Sequence, residues 1–411
     1  MDDQSTQSLR LESRAEWKRN WRSALACMIG MGLGGSVTLP IFSLFILPLQ
    51  HEFGWSRSDI ANVFAAGFVT ALLAPLVGAL IDAVGVRRPL LMGLVSIALC
   101  YVGLAMMDGQ LAVFYILVCL LLWTGLATTG MPYAKIISQH FDRARGVALA
   151  VSRSGMAIAT ALLPIVLYFL ITTIGWRSAY LAMAAMIVCL NITAVYMWVR
   201  DPDHGADNSV VRVPRPAMAW GRVLRDKQLI LLCAIAVFGY APTIALQTQL
   251  QPLIVDRGFG GSFAATMVGT LGVASFVGAL VTGALIDRFD ARLVGLVFAL
   301  LSAVGGALLL ANVASTGLLV VAIVLIGLGL GAEIDLLAYL VSRIFGVAIF
   351  ASVFGIISCV LSVAVAGWSM TLGYTYDLLG SYAPFLMLIT GTYLVAGLLY
   401  PALAKGVQRL A

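Results

Sequence analysis

The sequence predicts an all-α membrane protein with twelve transmembrane helices arranged as two similar six-helix halves. Three observations predict it. The 411-residue chain is 61% apolar and 11% charged, with a mean hydropathy of +1.00. A soluble domain carries roughly 25% charged residues, so this chain has too little polar surface to cover itself in water. Twelve apolar stretches are each long enough to cross a hydrocarbon core roughly 30 Å thick. Finally, one loop pattern occurs twice, as Gly78-x-x-x-Asp82-x-x-Gly85-x-Arg87-Arg88 and as Gly283-x-x-x-Asp287-Arg288-x-x-x-Arg292, with the two aspartates 205 residues apart. Similar halves in a membrane protein point to a site between them that opens to each side in turn.

In chain order, the spans are expected at 23–49, 59–82, 89–107, 111–137, 146–173, 178–199, 228–252, 263–287, 292–311, 317–342, 349–373 and 383–404. Their length excludes a barrel, whose strands need only about ten residues of alternating polarity. An even number of spans returns both termini to one side, and the basic residues say which. With the N-terminus in the cytoplasm, Arg10, Arg14, Lys18, Arg19 and Arg22 precede the first span, and Arg200, Arg212, Arg215, Arg222, Arg225 and Lys227 fill the central loop. Only Arg57, Arg177 and Arg257 then occupy outer loops. The polar linker 200–227 separates an N-terminal bundle, 23–199, from a C-terminal bundle, 228–404, with cytoplasmic segments 1–22 and 405–411 at the ends. Residues 1–20 lack the apolar stretch of a cleavable signal. The expectation is a monomeric, multi-pass protein of a bacterial inner membrane.

The net charge of +6 is met by basic loops facing anionic lipid and calls for no nucleic-acid partner. Cys27, Cys100, Cys119, Cys189, Cys233 and Cys359 all fall within spans without metal-ligand or CxxC spacing, and are read as packing residues. No cofactor and no metal are expected. The repeat extends beyond the paired loops: Pro48 aligns with Pro252, Gly54 with Gly258, and Phe141 with Phe345, each 204 residues apart.

The Gly-x-x-x-Asp-x-x-Gly-x-Arg-Arg loop resembles the signature of the major facilitator superfamily. With its weaker second copy and the six-plus-six layout, the resemblance covers the whole chain. Three further stretches are similar to bacterial relatives of the monocarboxylate transporters and oxalate/formate antiporters. They are Leu49-Gln50-His51-Glu52-Phe53-Gly54-Trp55-Ser56-Arg57, Tyr376-Asp377-x-x-Gly380-Ser381-Tyr382, and Gly331-Ala332-Glu333-x-Asp335-x-x-x-Tyr339-x-x-x-Arg343-x-Phe345-Gly346. The resemblance implies that Asp82, Gly85, Arg87 and Arg88, with Asp287, Arg288 and Arg292, form a latch that holds the cytoplasmic face shut. The plainer reading is that these charges only fix topology at the interface. Animal monocarboxylate carriers place an Asp and an Arg in the eighth span; the corresponding residues here are Ser275 and Ala279, so that anion site is absent.

Ionisable side chains inside a bilayer cost several kcal/mol and are functional candidates by default. Glu333 and Asp335 lie inside the tenth span, diverging by about 200° around a helix, so both cannot face one cavity. Burial disfavours the charged form of a carboxylate, and one of the two is expected to carry a coupling proton; a buried ion pair that fixes packing is the alternative. Arg153, inside the fifth span, offers a planar fork for a substrate carboxylate, or else pairs with an acid or snorkels to the interface. Lys135 lies nearer an interface and is expected to snorkel. Gln247 and Gln251, one turn apart in the seventh span with Tyr240 and Thr243 nearby, form a cavity wall or interhelical hydrogen bonds. Gly30, Gly32, Gly34 and Gly35 permit close helix approach, and Pro40 is expected to interrupt the first span. Trp123, Tyr133 and Trp368 are weaker cavity candidates.

The function read from these residues is secondary transport of a small organic anion, a monocarboxylate foremost, coupled to protons. Anion exchange, import of a larger carboxylate-bearing solute such as an aromatic acid or an iron chelate, and drug/proton antiport are the alternatives. The antiporter reading lacks its Gly-Pro motif, since Gly155 to Pro164 runs Gly-Met-Ala-Ile-Ala-Thr-Ala-Leu-Leu-Pro. A non-transporting sensor would need a signalling domain, and the longest polar segments are 22 and 28 residues. An enzyme is not expected: His51, His140 and His204 lie in loops without a nucleophile-base or metal-ligand cluster. No phosphate-binding Gly-x-x-x-x-Gly-Lys loop occurs either, which leaves a gradient as the driving force.

Overall fold

A computed structural model describes residues 2–141, 144–199, 224–286, 288–311, 315–346 and 349–404. The described residues contain helices and turns but no strand. Eleven of the helical segments are long and apolar enough to cross a membrane. The second predicted span, 59–82, is divided into the short helix Arg57–Ala61, a 3-10 turn Asn62–Ala65 and the 19-residue helix Ala66–Val84, and with it the described residues reach twelve. Outward-facing apolar side chains agree with a lipid environment: Met92 is 72% exposed, Leu398 73% and Leu378 80%, surface that water would not tolerate over so wide a belt.

Several spans are interrupted, and the local sequence explains where. The first runs as Asp2–Leu33, then a 3-10 turn Gly35–Val37, then Thr38–Phe53. The break is therefore at Gly34 rather than at Pro40, because Pro40 is the third residue of the new helix, where an absent N–H costs nothing. The seventh span is the most divided: Lys227–Ile235, a widened turn Ala236–Tyr240, Ala241–Thr248 and Leu250–Val255. The last break falls at Gln249 (φ −124°, ψ 18°), since Pro252 has no N–H for the Thr248 carbonyl and its ring crowds that oxygen.

The chain packs as two compact units, Met1–Thr38 with Leu73–Asn208, and Leu39–Leu72 with Ser209–Ala411. Within the first, glycine brings helices into backbone contact. A Cβ built at Gly32 would lie 2.8 Å from the Gly155 carbonyl oxygen, and one at Gly155 only 1.8 Å from that of Met28. Within the second, a Cβ at Gly278 would stand 2.2 Å from the Leu328 oxygen and one at Gly331 only 1.7 Å from that of Ser275. Small residues that let backbones meet are how membrane helices associate where no hydrophobic force separates them from lipid.

Candidate functional site

Both acids lie on the helix Thr316–Phe345. Glu333 is partly buried and lines a cavity of about 10 Å³, together with Gly239, Ser302, Gly329, Tyr393 and Tyr400. That space holds one water molecule at most. The carboxylate reaches it only because residue 239 is glycine: a Cβ there would stand 1.8 Å from Glu333 Oε1. The widened turn Ala236–Tyr240 presents this glycine. It is braced by Thr243, whose hydroxyl donates to the Gly239 carbonyl at 3.2 Å and lies 2.8 Å from the Tyr393 hydroxyl, and by Trp368, whose indole N–H donates to the Val237 carbonyl at 2.9 Å. Among the described residues, Glu333 has no hydrogen-bond or salt-bridge partner. Asp335 is partly buried and does not line the cavity, as its position two residues along a helix requires.

The seventh-span glutamines do not form one helical face. Gln247 ends one helix and Gln251 begins another, with the break at Gln249 between them, so the one-turn spacing expected of a continuous helix does not apply. Both are buried, and Gln251 Oε1 and Gln249 Nε2 lack hydrogen-bond partners among the described residues. Tyr240 is partly buried in the widened turn. In the first unit, Arg153 is exposed on the helix Arg145–Ile174. Lys135 Nζ donates to the Ile81 carbonyl at 3.3 Å. Tyr133 packs its ring where a Cβ on Gly30 would be, 2.3 Å away, and Trp123 is partly buried.

Of the paired loops, the Asp82 side chain and all of Asp287 lie outside the described residues. Gly85 ends the helix Ala66–Val84 at φ +90°, a conformation that side chains resist, which accounts for the glycine in the pattern. Arg87 donates to the Tyr196 carbonyl at 2.7 Å, with its guanidinium 5.1 Å from that ring's centre. Arg292 donates to the Leu403 carbonyl at 3.1 Å and pairs with Asp290 at 2.6 Å. Asp290 also caps the helix Ala291–Leu310 through the Arg292 N–H. Each arginine thus ties the third helix of its half to the end of the sixth. Arg88 and Arg288 are exposed.

One cluster escaped the sequence reading, which counted Arg57 only as an outer-loop cation. Arg57 is 4% exposed and opens the short helix Arg57–Ala61, which Ser56 and Asp59 cap reciprocally at 3.0 Å. Its guanidinium forks onto Asp256 at 2.6 and 3.0 Å, donates to Gln50 Oε1 at 3.3 Å and to the Tyr382 hydroxyl, and lies 3.7 Å from the centre of the Tyr376 ring. Asp377 accepts the backbone N–H groups of Arg57 and Ser58 at 3.1 and 2.6 Å. Tyr382 in turn donates to Gln249 Oε1 at 2.9 Å. Burial works against the charge of Arg57, but the hydrogen bond to Asp256 and the neighbouring Tyr382, Asp256 and Tyr376 outweigh it and hold the guanidinium above its ordinary range. Burial also pushes the Tyr382 hydroxyl up, with Arg57 pulling the other way.

Residues 24–367 match the family model of the Major Facilitator Superfamily. Monocarboxylate transporter 11 of Mus musculus is 28% identical over 275 residues, which cover 65% of this chain and 59% of that protein. The uncharacterized MFS-type transporter YcxA of Bacillus subtilis is 24% identical over 61% of each chain. Monocarboxylate transporter 13 of Rattus norvegicus is 25% identical over 87% of this chain and 82% of its own. The chain therefore spans only about six-tenths of the first two relatives. Among solved structures, a D-xylose-proton symporter superposes with a TM-score of 0.75 at 16% identity, over 94% of this chain and 98% of that one. The nucleoside transporter NupG gives 0.76 at 12% identity, over 93% and 98%; at such identities these two speak for the fold alone. The chain, with its many membrane-crossing helices, belongs to the Major Facilitator Superfamily.

Proposed function

We propose that the chain carries a small organic anion, a monocarboxylate foremost, across a bacterial inner membrane together with protons, by alternating access with both termini cytoplasmic. The observation that carries this is Glu333: a carboxylic acid inside a span, in a cavity too small for bulk water, with no hydrogen bond or salt bridge to hold its charge among the described residues. An acid so placed is kept for a purpose other than packing, and taking up and releasing a proton is the chemistry available to it. Asp335 is the second acid of the same span. Arg153 receives the substrate carboxylate, with Tyr240, Gln247 and Gln251 as polar wall. Asp82, Gly85, Arg87, Arg88, Asp287, Arg288 and Arg292 form the cytoplasmic latch, in which Arg87 and Arg292 also secure the ends of their own halves. The relatives named monocarboxylate transporters favour a carboxylate cargo.

The test is uptake of a labelled monocarboxylate panel into proteoliposomes, with and without an inward proton gradient. Accumulation that collapses when the gradient is dissipated is the expected result. Uptake that ignores the gradient but needs internal anion replaces symport with exchange. No uptake of any panel member removes the monocarboxylate reading and turns the search to larger solutes. Arg153→Ala is expected to raise the apparent KM at least tenfold, as loss of a charged substrate contact should; an unchanged KM takes Arg153 out of the site.

A further inference from the structure

We propose that Arg57 is the clasp of the outer gate, holding the outer ends of the first two spans against the C-terminal half. Two of the three stretches that resemble carboxylate-carrier relatives, Leu49 to Arg57 and Tyr376 to Tyr382, meet in this one cluster. The first supplies Gln50 and Arg57; the second supplies Tyr376, Asp377 and Tyr382, and Asp256 closes the ring from the end of the seventh span. The residues come from positions 199 and 320 apart in sequence, so the cluster has no local folding role to explain it.

Its consequence is visible in the packing. Leu39–Leu72 belongs to the second compact unit rather than with the rest of the N-terminal half. Besides the clasp, Asn62 donates to the Tyr374 hydroxyl at 3.2 Å, and Gly373 lets the two backbones touch, since a Cβ there would lie 2.8 Å from Ala61 Cβ and 3.0 Å from Ser58 Cα. A bidentate arginine–carboxylate fork stacked on an aromatic ring is strong when dry and is weakened as water reaches it. A contact of this kind holds firmly while closed and gives way once separation begins. Its place in a transport cycle rests on the alternating-access reading above, whereas its role in holding these segments together does not.

The experiment is a pulsed electron-resonance distance between nitroxides on His51→Cys and Ala383→Cys, both exposed positions, in the full chain with its six cysteines replaced. It is read in lipid without substrate. Unsubstituted at the clasp, the pair should show one short distance. Arg57→Gln should add a longer distance, raising the separated population roughly tenfold or more, as expected when a buried ion pair loses one partner. Should Arg57→Gln fail to fold, Asp256→Asn carries the same test. Gly373→Ala keeps every charge and should widen the pair by sterics alone. Unchanged distances in Arg57→Gln, or in Asp256→Asn where the first does not fold, overturn the clasp, with the widening in Gly373→Ala showing that the label pair can report a separation. A widened distance with no uptake of any panel member leaves the clasp standing and sinks only the substrate reading.

Discussion

Thr128 and Glu333 occupy the same register of the internal repeat, 205 residues apart, and so do the glycines they face, Gly34 and Gly239. In the first half the place is a finished joint. Thr128 is fully buried, accepts the Gly35 N–H at 2.8 Å and donates to the Gly125 carbonyl at 2.9 Å, and a Cβ on Gly34 would lie 2.6 Å from the Thr128 carbonyl oxygen. In the second half the glycine is approached by a side chain instead of a backbone carbonyl, and that side chain is a carboxylate with no hydrogen bond or salt bridge among the described residues. Backbone and chemistry both differ: Gly34 is an extended break and Thr128 ends a 3-10 turn, whereas Gly239 lies in a widened helical turn and Glu333 inside a continuous helix. Duplication alone would make the two places alike, so the acid marks the half in which this register does something other than hold helices together.

The largest effect that can break this comparison is at the acid itself. Glu333→Gln is expected to abolish proton-driven accumulation while Thr128→Ala retains it, losing about 1–2 kcal/mol of stability with its hydrogen bonds; uptake and thermal unfolding of the purified chain read both. Gradient-driven accumulation in Glu333→Gln would remove the functional difference between the halves.

The glycines sharpen it next. Gly34→Ala drives a methyl into backbone oxygens of Thr128 and Gly30, at 2.6 and 2.7 Å, and should cost about 1–3 kcal/mol. Gly239→Ala meets the movable end of a side chain, so it should destabilise less but shift the pH dependence of uptake. The reverse order of melting temperatures would contradict this. Smaller again, Arg87→Ala and Arg292→Ala should each lose about 1 kcal/mol with similar denaturation shifts, because both arginines tie down the last helix of their own half. The smallest effect is at the clasp: raising the pH from about 7 to about 9 should leave the nitroxide distance unchanged. Arg57 is held above its ordinary range and Tyr382 is pushed up. Stability from a raised arginine is whole below its unfolded value and lost only above it, so neither group titrates in that window.

The span pattern and the repeat were legible because hydropathy and spacing are local properties of the chain. The break at Gln249 was readable in principle from Pro252, but Gln247 and Gln251 at helical spacing outweighed it. Glu333 was legible as an expensive residue; its isolation from Asp335 followed from helix geometry, while the glycine that admits it, nearly a hundred residues away, was not. Arg57 was missed for the opposite reason. Counting outer-loop cations uses up every arginine equally, and only three-dimensional proximity separates a buried one facing Asp256 from one that merely sets topology.

The backbone contacts of Gly278 with Leu328 and of Gly331 with Ser275 also bear on how such a chain can change over generations. Any side chain at either glycine would enter a space already filled by a neighbouring carbonyl, and no rotamer can relieve that. Whatever cargo descendants of this sequence carry, glycine at 278 and 331 is expected to be inherited for want of room.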